Sequence, residues 1–163
     1  MILHIRYTAR DGGERLKTSA LNNINSLVKN AEAAGSVRVF SVRHEFPTEW
    51  ARFHGQTPGA NQRFELKINL RPEHYPFWSQ GRLNKVVRVD ILARSIQDRM
   101  DIFDSADITD ITKKGTLTKD AAPGALLSVL LTAGLPAKPD GAMQLFFDTK
   151  ALADLWIAVS WGA

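Results

Sequence analysis

No cysteine occurs anywhere in the chain. Disulfides, thiolate metal sites and a cysteine nucleophile are excluded together, while the redox compartment stays open. No apolar run approaches the ~18 residues of a membrane helix, so no membrane span is expected; the best stretch, residues 124–134, is too short. The opening Met-Ile-Leu-His-Ile-Arg is charged by its sixth residue and lacks the apolar stretch of a signal peptide. Arginine is absent after Arg99 and glutamate after Glu73, which leaves residues 100–163 built on aspartate and lysine and net acidic, eight aspartates against five lysines. Glycine (11) and proline (7) are too few for a collagen-like or low-complexity chain. The net charge of +4 is mild for a nucleic-acid binder, and no nucleic-acid partner is expected. The arginine-rich first part fits forked contacts to an anionic partner, or equally the exposed faces of ordinary strands.

What is present describes an ordinary globular protein. At 163 residues, 44% hydrophobic and 23% charged, the chain suits one domain with a small appendage. Residues 2–8 alternate as a strand and stop at Asp11-Gly12-Gly13-Glu14, where Asp11 and Glu14 have capping-box spacing. Leu16, Ala20, Ile24, Leu27 and Ala31 then recur at helical spacing opposite an asparagine-rich face, and Gly35 offers a stop. From Val37 the period becomes two. Residues 37–43 read as a strand, and 47–53 as helical turns with Pro47 near the first position and Trp50 and Phe53 on one side.

The clearest strand is 64–70, with Phe64, Leu66, Ile68 and Leu70 on one face and Arg63, Glu65, Lys67 and Asn69 on the other, polar face. Val87, Val89, Ile91 and Ala93 form another inward row; 99–103 is a short strand, and 104–119 reads as polar loop or edge. Residues 123–135 are compatible with helix or buried strand. Met143, Leu145 and Phe147 alternate after the Asp140-Gly141 turn, and Leu155, Ile157, Val159 and Trp161 give a last strand. The expected fold is mainly β (α+β): an antiparallel, jelly-roll-like β-sandwich with one long N-terminal amphipathic helix. Residues 1–10 resemble the closing strand of a preceding domain or pair within this one, 11–35 form a connector helix, and 36–163 form the sandwich.

Four segments carry a resemblance. Ile2-Leu3-His4-Ile5-Arg6-Tyr7-Thr8-Ala9-Arg10 resembles the final strand of the A component of insecticidal toxin complexes, the Tc toxins. Arg43-His44-Glu45-Phe46-Pro47-Thr48-Glu49-Trp50, the run from Leu70 through Arg82, and Asp154-Leu155-Trp156 resemble the C-terminal extension of some A-component-related proteins. The resemblance implies a binding or assembly module of a toxin-like particle. Its partner would be another toxin-complex subunit or a preceding domain of a larger chain, and its place secreted or particle-associated. It implies no active site and no cofactor, and the chain lacks the family's pore-forming and receptor-binding regions.

The chemical constellations are weak. His44 and His54 flank Glu45 and Glu49, but no zinc signature is present and Pro47 interrupts the segment. Asp98, Asp101, Asp104, Asp107 and Asp110 recur every three residues, a hard-oxygen pattern that suits calcium or a solvated edge. Glu45 with Glu49, or Glu65 with Asp90, are the carboxylate pairs a glycoside hydrolase would need. No nucleophile elbow or phosphate-cradling loop occurs, so no enzyme is expected. The binding candidate is the loop with Tyr75, Phe77 and Trp78 flanked by Arg71, His74 and Arg82, stiffened by Pro72 and Pro76. Flat rings beside forked donors suit a protein hot spot or a glycan platform using Tyr75 and Trp78. The alternative is that Phe77 and Trp78 turn inward and cap the sheet.

Overall fold

The structure, a computed structural model, describes residues 13–33, 36–79, 81–119, 126–131 and 134–162. The opening strand, the Asp11 cap and the Gly35 stop lie outside them. The chain divides into two units, Met1–Ala34 and Gly35–Ala163. The first holds helix α1, Gly13–Ala33. Asn22, Asn23 and Asn25 are exposed on it, and so are Ala20, Ile24 and Leu27 of the apolar row.

The second unit runs β1 (Ser36–Ser41), α2 (Val42–Glu45), α3 (Pro47–Gly55), β2 (Phe64–Leu70), β3 (Lys85–Ser95), β4 (Arg99–Phe103), β5 (Lys113–Lys119), β6 (Leu127–Leu131), β7 (Gly141–Phe147) and β8 (Leu152–Gly162). The strands form one antiparallel eight-stranded sheet in the order β1-β8-β3-β6-β5-β4-β7-β2. The antiparallel, mainly β character read from the sequence is present. The strands, however, join one continuous curled sheet. Among the described residues two links are short: β5 pairs with β6 at Thr118–Ser128 and Lys119–Leu127, and β4 with β7 at Ile102–Phe147 and Phe103–Phe146.

Alternation builds the core. Leu66, Ile68 and Leu70 of β2 are buried, whereas Lys67 and Asn69 between them are exposed. Leu155, Ile157, Val159 and Trp161 of β8 point inward beside Ala93, Ile91, Val89 and Val86 of β3. Each such side chain contributes about 1.5–3 kcal/mol on burial. Aromatic rings finish the interior: Phe53 of α3 lies edge-on to Phe64 and Phe147 at 6.3 and 5.6 Å, and Trp50 lies 6.1 Å from Phe53.

Three local expectations are corrected. The strand expected over 37–43 ends at Ser41, because Glu45 Oε1 accepts the Ser41 N–H (2.9 Å) and Phe46 N–H closes a helical turn on Val42 O (3.0 Å). Val87 does not join the inward row. A bulge between Val86 and Arg88 turns Val86 inward and leaves Val87 exposed. The polar stretch 104–119 contains strand β5, held between β4 and β6 despite its lysines. Of the helix and strand alternatives open for 123–135, residues 127–131 form strand β6, and among the described residues α2 is a short helix beyond those read from the sequence.

Candidate functional site

The aromatic loop begins where β2 ends. Pro72 sits at the first position of a 3-10 turn, Pro72–His74, with Arg71 extended before it. His74 N–H donates to Arg71 O (3.0 Å), and the Arg71 N–H donates to His74 Nδ1 (3.2 Å). After Pro76 a second 3-10 turn, Phe77–Ser79, is closed by Ser79 N–H and Oγ–H, both donating to Pro76 O (2.9 and 2.7 Å). The Arg82 N–H donates to Ser79 O (2.9 Å), and Gly81 takes φ +81°, a left-handed conformation that favours glycine.

Some of these side chains anchor the loop and others face outward. The Tyr75 ring is buried edge-on to Phe40 (5.3 Å) and Trp161 (5.0 Å), and its hydroxyl donates to Pro139 O. Burial, reinforced by the Asp140 charge and opposed by Arg38, raises the phenol well above its ordinary value. The His74 ring packs on Phe46 (5.1 Å) and Phe40 (6.5 Å), while its carbonyl accepts Arg38 Nε–H (3.4 Å). Phe77 is 84% exposed and Trp78 55% exposed. Arg71 and Arg82 are exposed too. The loop thus presents Phe77 and Trp78 on a backbone fastened by Tyr75, His74 and Ser79. Neither exposed ring turns inward as a cap, and the Tyr75 ring lies too deep to share a stacking platform with Trp78.

The acid and histidine sets are dispersed. Glu45 pairs with Arg38 (2.6 Å), Asp90 takes a forked pair of hydrogen bonds from Arg88 (both 2.6 Å), and Glu65 accepts from Gln144 (2.8 Å). The His54 ring nitrogens lie 3.1 Å from Trp50 O and 3.0 Å from Leu152 O, tying α3 to β8. His44 is exposed. Among the described residues no group of three or more histidines and carboxylates is placed to hold a metal.

The aspartate run is divided among separate tasks. Asp98, Asp101 and Asp104 pair with Lys119 (3.2 Å), Lys113 (2.7 Å) and Lys114 (2.7 Å). Burial works to raise the Asp101 carboxyl, yet hydrogen bonds from Lys113 and Thr116, with the Lys113 and Arg99 charges, bring it below its ordinary value. Asp107 is lowered by the Thr109 N–H and hydroxyl, and Asp110 by hydrogen bonds from Thr112.

The backbone of this loop meets a cation that the sequence did not single out. Arg63 is 5% exposed. Its Nη1 donates to the carbonyls of Ser105 (3.2 Å), Asp107 (2.5 Å) and Asp110 (2.9 Å), its Nη2 to Ile108 (3.4 Å), and its Nε to the Asp148 carboxylate (2.7 Å). The guanidinium carbon stands 3.5 Å from the Phe103 ring centroid. Converging loop carbonyls are the ligands a hard metal ion would use; here a guanidinium occupies their centre. The alternation places Arg63 on the polar outward row with Glu65, Lys67 and Asn69; the structure buries it instead, because the carbonyls of the Asp-rich loop close over its guanidinium. No known family, curated protein or solved structure matches this chain.

Proposed function

We propose that the unit Gly35–Ala163 is a non-catalytic, jelly-roll-like binding module that engages a protein partner through Phe77 and Trp78. The observation that carries this reading is the 84% exposure of Phe77 on a loop whose neighbours Tyr75 and Ser79 are buried. Exposed apolar rings on a stiff backbone suit association, because little ordering entropy is lost when the partner covers them. Arg71 and Arg82 add forked donors at the rim, favouring a partner that offers carboxylates beside an apolar pocket. The Tc-toxin resemblance names the partner to try first, another subunit of such a complex. The dispersal of the acids and histidines into separate ion pairs and backbone contacts is consistent with binding without turnover.

The test is size-exclusion and pull-down of the full chain with cognate toxin components. Trp78→Ala and Phe77→Ser are expected to weaken association at least about tenfold, the scale of a hot-spot residue, while leaving the unfolding midpoint unchanged. Association that ignores both changes, or that fails with every component, removes this reading. A second reading, glycan binding, rests on the half-exposed Trp78 ring as a stacking surface without Tyr75. A glycan array positive for the wild type and blank for Trp78→Ala would favour it.

A further inference from the structure

A partly open cavity of about 90 Å³ lies where β6 ends and β7 begins. Val89, Leu131, Met143 and Leu145 line it, all of them buried side chains of β3, β6 and β7. Among the described residues Lys114 of β5 is the only ionisable side chain in the lining. The cavity shares no residue with the aromatic loop of Phe77 and Trp78.

Three segments hold Lys114 in place, and its side chain is only 15% exposed. The ammonium pairs with the Asp104 carboxylate (2.7 Å) and donates to Gln144 O (3.4 Å). Its stem lies against Gly134, where a Cβ would stand 3.0 Å from Lys114 Cε. Gly134 also takes φ +64°, so both the space and the backbone conformation there favour glycine. An ammonium has three donors. Asp104 and Gln144 take two, and the third has no partner among the described residues. Asp104 is not part of the lining, and its side chain is 59% exposed.

We propose that this cavity binds a small branched aliphatic carboxylate, with its hydrocarbon on Val89, Leu131, Met143 and Leu145 and its carboxylate on Lys114. Volume sets the size of the ligand. An apolar cavity of about 150 Å³ takes a benzene ring; one of about 90 Å³ is too small for a ring and suits a branched chain of roughly four or five carbons. Lys114 sets the charge, because a carboxylate gains a charge-assisted hydrogen bond from the third donor and a neutral alcohol does not. The ammonium is already fixed by Asp104, Gln144 and Gly134, so little ordering entropy is lost when the ligand arrives. Asp104 competes for the same charge and weakens the site without closing it. The C-terminal leucine or valine of a peptide carries the same chemistry as a free branched acid.

The full chain is titrated with isovalerate, isoamyl alcohol and N-acetyl-leucine while the methyl resonances of Val89, Leu131, Met143 and Leu145 are followed by NMR. Isovalerate is expected to shift these methyls saturably with Kd on the order of millimolar, and the alcohol to bind about tenfold more weakly. Lys114→Met keeps the stem that packs on Gly134 and should bring acid and alcohol to equal affinity. Asp104→Ala removes the competitor and should tighten the acid about threefold with the alcohol unchanged. N-acetyl-leucine binding tighter than isovalerate assigns the site to a peptide end, and the reverse order to a free acid. No saturable shift at these methyls with either acid, an acid preference that persists in Lys114→Met, or an Asp104→Ala that fails to tighten the acid would each overturn the proposal. Asp104 is exposed, so if Lys114→Met does not fold, the Asp104→Ala titration decides alone.

Discussion

Replacing Arg63 by alanine removes the guanidinium on which the carbonyls of Ser105, Asp107, Ile108 and Asp110 converge. Stripping one partner from a buried charged network costs about 3–5 kcal/mol, because the groups left behind are desolvated and unpaired. The Asp148 ion pair supplies little of this: its carboxylate side chain is 57% exposed, and a screened pair of that kind contributes about 0–1 kcal/mol. Asp148→Ala should therefore cost less than ~1 kcal/mol. Arg63→Lys, which keeps the charge but loses the fork, should fall between the two. With a midpoint change of roughly 3–5 °C per kcal/mol for a unit of this size, Arg63→Ala should melt roughly 10–20 °C below wild type. Denaturant titration followed by tryptophan fluorescence measures all three variants. If Asp148→Ala costs as much as Arg63→Ala, or Arg63→Ala costs under ~1 kcal/mol, the carbonyl cradle is not what holds this loop.

Three further predictions follow from other parts of the fold. A Cβ on Gly115 would stand 2.8 Å from Val129 Cγ2 and 3.1 Å from Leu131 Cδ2, so Gly115→Ala should lower the urea midpoint by an amount equivalent to ~1–3 kcal/mol; an unchanged midpoint would mean that β6 yields freely. The phenol of Tyr75 is raised above its ordinary value of 10.0, so its stabilisation is complete below that pH and is lost as pH climbs toward the higher folded value. Ultraviolet difference absorbance should show a late phenolate step that coincides with unfolding and vanishes in Tyr75→Phe; because Tyr7 also titrates, a reversible native step near pH 10 contradicts this only if it is lost in Tyr75→Phe. Asp101, Asp107 and Asp110 are lowered from 3.8, so their contribution is complete above that value and disappears as pH falls through the depressed folded values. Stability should drop below about pH 4, less steeply in Asp101→Asn; a flat profile down to pH 3 would exclude these contacts as stabilising.

Much of the sheet was legible because burial on one face writes a period of two into the chain. The strands at 64–70 and 155–161 follow directly from their apolar rows, and Pro47 and the Asp140-Gly141 pair mark the starts of α3 and β7. Where a residue's role depends on a distant backbone group, the pattern carries no trace. Val87 looked inward because a bulge in β3 is decided by its neighbour β8. Strand β5 looked like loop because its lysines are matched by aspartates on β4 and in the loop after it. Ser41 ended β1 early because Glu45, four residues on, takes its N–H.

The candidate site shows the same division. Composition and spacing marked the loop from Arg71 to Arg82 as aromatic, proline-stiffened and basic, but could not say which rings face out. That was decided by Phe40, Phe46 and Trp161, which provide a niche for His74 and Tyr75 and leave Phe77 and Trp78 outside it. The sequence alone determined an antiparallel β protein without thiol chemistry, since alternation and composition are local properties. Which cation fills the Asp-rich loop and which aromatics are displayed came only from the tertiary structure. Each depends on groups far apart in the chain that meet only when the sheet forms.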